Sequence, residues 1–177
     1  MNASSLLRLC AAAMLVAFAA CNQPSAEKAF DVAVLNTNMI VGFAHTGMER
    51  ALESPSAKMG KTKDEVVQMK REEVVDDKRK FAEANYEKLK AFSQTDETKD
   101  IIQGSIALHE LVLPVYKNEY MQLAKLYDSN APESEIAKLK KVIHDKYFLR
   151  FEVAYNNLIN SGKLYAKEHD IEVRWAM

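Results

Sequence analysis

Cysteine occurs only twice, at Cys10 and Cys21, both near the amino terminus. The rest of the chain therefore has no thiol for catalysis, for a disulfide or for a cysteine-ligated metal. Catalytic signatures are missing as well: there is no GxSxG, no P-loop, no HExxH and no glycine-rich phosphate cradle. Haem attachment lacks its CxxCH, and a di-iron bundle site lacks its paired Glu-x-x-His motifs. The sequence thus predicts a protein that is not an enzyme and carries no cofactor. Charge of one sign is also lacking. With 24 basic against 25 acidic residues, bulk charge gives no footprint for nucleic acid. Long hydrophobic runs are absent too. The best, Leu9–Ala20, is twelve residues without a charge. As a helix it reaches about 18 Å, short of the ~30 Å of a bilayer core.

What stands around that run explains it. Arg8 precedes it, small residues close it, and the polar stretch Asn22-Gln23-Pro24-Ser25 follows. This is the layout of an export signal. Phe18-Ala19-Ala20-Cys21 resembles the lipobox of bacterial lipoproteins, with phenylalanine where leucine is usual. The resemblance covers residues 1–21 only. It implies that residues 1–20 are cleaved off, that Cys21 becomes the lipid-bearing first residue, and that residues 21–25 form the tether. A diacylglyceryl thioether plus an amide-linked chain would hold the protein to a membrane, since each buried CH₂ contributes about 0.8 kcal/mol. Asn22, in place of the aspartate that retains many lipoproteins at the inner membrane, points to the outer membrane. Cleavage would remove 20 residues of 177 and leave 157, with 23 basic and 25 acidic side chains, enough chain for a real core.

Glycine (five) and proline (four) are scarce, and their places divide the remainder. Pro24 lies in the tether, Pro55 and Gly60 bracket residues 54–62, and Pro132 lies in residues 128–134. Between them run helix formers with little strand alternation. The expectation is an all-α domain over residues 26–177. It takes the form of a single four-helix up-down-up-down bundle with helices near 26–53, 63–93, 97–128 and 133–161, and a short C-terminal tail. Thr62 and Glu65 read as a capping box opening the second helix. Glu133 and Glu135 suit the start of the fourth, where the helix dipole favours anions. Trp175, the only tryptophan, is expected to pack on the bundle.

Three stretches are candidates for function. The first helix carries a core stripe (Phe30, Val34, Val41, Ala44, Met48, Leu52) and a second apolar set, Val32, Leu35, Met39 and Phe43. The second set is either a partner-binding surface or further core covered by the tail. Gly42 and Gly47 each cost about 1 kcal/mol of helix propensity, which calls for close packing or a backbone contact to offset it. In the third helix His109 falls on the apolar stripe with Tyr116 and Tyr120, next to Pro114, which should kink the helix. These three residues form either a ligand pocket or a buried histidine bonded to a neighbouring tyrosine. Counting height along neighbouring first and fourth helices brings His45 and His144 level, with Glu49 one turn from His45, a possible metal set. The charged run 61–80 reads as a solvated face with i,i+4 pairs. Together these readings predict a lipid-anchored, periplasm-facing bundle that binds another envelope protein, with homodimerisation possible. Carriage of a small ligand or metal in the bundle interior is the alternative.

Overall fold

The structure is a computed structural model that describes residues 24–62 and 64–175. The predicted signal, Cys21 and the start of the tether lie outside the described residues. The chain is mostly helical: α1 (Ala26–Ala33), a 3₁₀ segment (Leu35–Ile40), α2 (Thr46–Glu53), a hairpin of β1 (Ala57–Met59) and β2 (Val66–Gln68), α3 (Arg71–Ala91), α4 (Lys99–Val115), a π turn (Tyr116–Tyr120), α5 (Met121–Asp128) and α6 (Glu133–Glu168). Helix α6 packs along α4, while α3 packs against both α4 and α5. No helix among the described residues is long and apolar enough to cross a membrane.

The single first helix expected over residues 26–53 is broken. Ser25 accepts from the Lys28 amide and caps α1. Asn36, Thr37 and Asn38 then offer the backbone other partners: the Thr37 hydroxyl donates to the Val34 carbonyl at 2.6 Å. Gly42 takes φ +74° and Ala44 φ +57°, so the chain turns sharply before α2. A Cβ on Gly42 would lie 2.8 Å from the Cα of Gly47, and one on Gly47 would lie 2.8 Å from the Val41 carbonyl oxygen. The backbone contact called for by these two glycines is therefore present.

The second helix starts later than expected. Ala57–Met59 and Val66–Gln68 pair as an antiparallel hairpin, with Lys58 opposite Val67. Glu65 does not cap a helix with Thr62; its carboxylate accepts from the Lys61 amide inside the hairpin turn. The β-branched pair Val66-Val67 suits a strand. At α3 the Glu73 carboxylate accepts from the Lys70 amide, and Asp128 at the end of α5 accepts from the amides of Arg71 and Glu72 at 3.0 and 3.1 Å. An anion at a helix N-terminus is favourable, so Asp128 locks α3 to α5. The charged face behaves as its pattern implies: Arg79 pairs with Asp76 and Glu83, and Lys80 with Asp76.

The third helix continues through Pro114, and the irregularity takes the form of the π turn that follows. There the Asn118 side chain donates to the Pro114 carbonyl at 2.8 Å. The fourth helix begins where expected, with Pro132 at its N-cap and Glu133 and Glu135 in its first turn. It runs past Gly162 to Glu168, where Asp170 (φ +54°) ends it and Ile171 N–H bonds Ala166 O. Gly162 is not a cap. It is buried, and a Cβ there would sit 3.0 Å from both Val34 methyls. Gly162→Ala is expected to cost about 1 kcal/mol by overpacking, read as a lower denaturant midpoint, and less in a Val34→Ala background.

One core joins these elements. Phe43 sits in it, edge-on to Tyr116 and Tyr120 at 5.4 and 5.5 Å and tilted on Phe151 at 5.2 Å. Among the described residues the tail 171–175 pairs with no strand, and Ile171, Val173 and Trp175 lie against the core. Trp175 meets Phe30 edge-on at 5.9 Å.

Candidate binding surface

The second stripe of the first helix is not one face. Val32 and Phe43 are buried, while Leu35 and Met39 are exposed by 37% and 49%. The break at residues 34–45 rotates the two pairs apart, so Val32 and Phe43 are core residues and not a docking surface.

The proposed ligand-pocket residues are likewise occupied by the fold. His109 Nδ1 lies 2.7 Å from the Ser105 carbonyl, which only accepts, so Nδ1 carries the proton. Nε2 then accepts from the Asn85 side-chain amide at 3.2 Å. The orientation of Asn85 is set by the Val32 carbonyl, to which the same Nδ2 donates, and its Oδ1 accepts from Asn36. Burial holds the His109 pKa below the ordinary histidine value. The Tyr120 hydroxyl accepts from the amide of Ala44, the residue at positive φ. Burial pushes the pKa of Tyr120 and of Tyr116 upward. His109 and Tyr120 are thus internal anchors of the 3₁₀ segment and the turn after it. The histidine's partner is an asparagine, not a tyrosine.

Beside His109, the Ser105 hydroxyl is a buried side-chain atom without a hydrogen-bond partner among the described residues. Ser105→Ala should be neutral or stabilising by up to about 1 kcal/mol, seen as an equal or higher melting temperature.

Height counting does bring His45 and His144 together: their rings are 5.9 Å apart, and both lie on Phe148, at 4.9 and 4.8 Å. Glu49 does not complete a metal set. It pairs with Lys140 at 3.4 Å, and no group of three metal-ligating side chains occurs among the described residues. Stacking on Phe148 accounts for the imidazole pair.

The surface that sequence reasoning missed lies on α6. Its inward stripe has Ile143, Tyr147, Phe151 and Leu158 buried. Its outward face carries Val142, Leu149, Val153 and Leu164, exposed by 46%, 73%, 53% and 64%. At 100° per residue these four fall within about 60° of one another. They extend over about 33 Å of helix. The signal is present as spacings of seven, four and eleven, but the core stripe of the same helix shares that helical period and masks it.

On one flank of this face is a groove of about 380 Å³ between the 3₁₀ segment, α6 and the tail. Val34, Leu35, Tyr155, Ile159, Val173 and Trp175 form its apolar wall; Asn38, Asn156, Lys163 and Arg174 supply its polar groups. Lys163 Nζ stands 5.6 Å from the centroid of the Trp175 ring. No family model, no curated protein and no solved structure matches this chain.

Proposed function

We propose that this is a lipid-anchored protein of the bacterial cell envelope, on the periplasmic side of the outer membrane, that acts by binding another envelope protein. The docking face in this reading is the outward stripe of α6. In this reading the N-terminal segment, α1 to α2, serves as the first member of an up-down-up-down bundle. The anchor rests on the lipobox-like residues 18–21 and would tether the domain through Cys21.

The observation that carries the reading is the run of four large apolar side chains along one solvent-facing side of α6. Single exposed leucines and valines are ordinary, but four large ones aligned on one side of a helix, with Leu149 and Val153 one turn apart, are the kind of surface that marks interaction sites. Scaffold, assembly-factor and inhibitor roles all use such a face. Absence of every common catalytic motif from the sequence favours binding over chemistry.

Leu149→Glu and Val153→Glu test the docking face. Each is expected to weaken partner binding at least tenfold, about 1.4 kcal/mol. Circular dichroism should not change and stability should stay within about 0.5 kcal/mol, since neither side chain is core. If the variants unfold, the stripe is structural; if binding persists, the face is elsewhere. Cys21→Ser should release the protein from membranes, and a variant that still sediments with them would remove the anchor from the account.

A further inference from the structure

We infer that the groove beneath the C-terminal tail is a binding site for a small organic acid: an apolar, preferably aromatic body carrying one carboxylate. This does not depend on the protein-docking reading, because the groove opens beside the α6 stripe.

The size comes first. About 380 Å³ lies within the range of small-molecule sites, about 300–1,000 Å³. Its composition gives the chemistry. The wall is aromatic and aliphatic, with Tyr155, Trp175 and Ile159 among the residues that line it. The charged groups of the lining are two cations, Lys163 and Arg174, and no acid accompanies them. Neither cation joins an ion pair among the described residues.

Two elements supply the cations. Lys163 comes from α6 and Arg174 from the tail, so a carboxylate held by both would bridge the tail to the helix. Arg174 offers a planar fork that matches a carboxylate, and Lys163 a single mobile charge. The polar side chains of Asn38 and Asn156 complete the lining and can donate to the second oxygen or accept from a ligand N–H. Both cations are exposed to solvent, so a carboxylate gains charge-assisted contacts there that a neutral ligand lacks, and a bare inorganic anion would leave the aromatic wall in water. An amphipathic monocarboxylate satisfies both halves.

Trp175, the only tryptophan, lines the site and reports on it. The full chain, purified in non-ionic detergent, is titrated by tryptophan fluorescence and by calorimetry with 4-phenylbutyrate, with its neutral amide 4-phenylbutanamide, and with acetate. The acid is expected to saturate below about 1 mM. The amide and acetate should each bind at least tenfold more weakly. Arg174→Gln and Lys163→Met should each weaken the acid about tenfold with melting unchanged, and binding should weaken further at high salt. An amide that binds as well as the acid, acetate that binds as well as phenylbutyrate, or a double variant that binds like the wild type would each overturn the assignment. So would the absence of saturation by both methods up to about 10 mM.

Discussion

Gly42→Ala is expected to lower the melting temperature by about 10 °C, one of the two largest effects of any single substitution considered for this chain. Two costs add at this residue. Its φ of +74° is a conformation that costs an L-residue about 1–2 kcal/mol. Its missing Cβ would also occupy space 2.8 Å from Gly47 Cα and 2.9 Å from Gly47 N. Those are backbone atoms, which cannot swing aside as a flexible side chain can. Together the two costs come to about 3–4 kcal/mol, and in a domain of this length 1 kcal/mol moves the midpoint by about 2–4 °C. Gly47→Ala should cost less, because its close contact to Val41 O comes without a positive φ. The double variant should cost less than the sum, since both changes disturb one contact. Thermal denaturation followed at 222 nm checks this, and a Gly42→Ala midpoint within about 2 °C of wild type would show that the turn is free to relax.

Asn85→Ala is the second. Asn85 is 2% exposed and its amide serves three partners: the Val32 carbonyl, the Asn36 side chain and His109 Nε2. Removing it leaves buried polar groups without partners, at about 1–3 kcal/mol for each group that water does not reach. A loss of about 3 kcal/mol in denaturant unfolding is expected. The same network fixes a pH dependence. Neutral His109 is the bonded form, and its folded pKa lies below the unfolded value near 6.5. The unfolded chain therefore binds the extra proton first as pH falls. The stabilisation is fully present above about pH 6.5 and is lost below it, by at most about 1.4 kcal/mol per pH unit from this one group. His109→Gln should remove that component. Asn85→Asp should reverse it, because a carboxylate at that position would pair with imidazolium and favour the charged histidine. Stability measured at pH 7.5 and 5.5 on the three proteins separates these outcomes; equal losses in all three would place the titration elsewhere.

Much of this fold was legible, and the misreadings have physical causes. The long final helix was plain in the sequence: Pro132 opens it, glutamates fill its first turn, and Ile143, Tyr147, Phe151 and Leu158 recur at helical spacing. Gly162 left the end of that helix open, since a glycine there can be a cap or lie within a continuing helix; this one admits the Val34 side chain and the helix runs on. The first helix failed where short polar side chains compete for the backbone. Asn36-Thr37-Asn38 and two glycines within six residues were visible warnings, outweighed by the apolar period of the flanks. In residues 57–68 the capping-box pattern of Thr62 and Glu65 hid a hairpin, because Glu65 finds the Lys61 amide within a turn instead.

The sites divide in the same way. Proximity of His45 and His144 followed from counting residues up two helices, yet ligand geometry did not, because Lys140 claims Glu49 and Phe148 orients both rings. His109 was legible as a buried histidine, but its partner on α3 was not, since no period connects Asn85 to it. The packing of Trp175 on the bundle was legible, but the groove was not, because it also needs the 3₁₀ segment that replaces the middle of the expected first helix.

The most direct test of the account is crosslinking in the envelope of the native cell. A photoreactive phenylalanine analogue replaces Leu149 on the α6 stripe or, as control, Lys88 on the exposed side of α3. The account predicts one discrete adduct with a different envelope protein from position 149, none from 88, and loss of the adduct when Val153→Glu is added. Equal labelling from both positions, or an adduct from 149 that contains only a second copy of this chain, would contradict it.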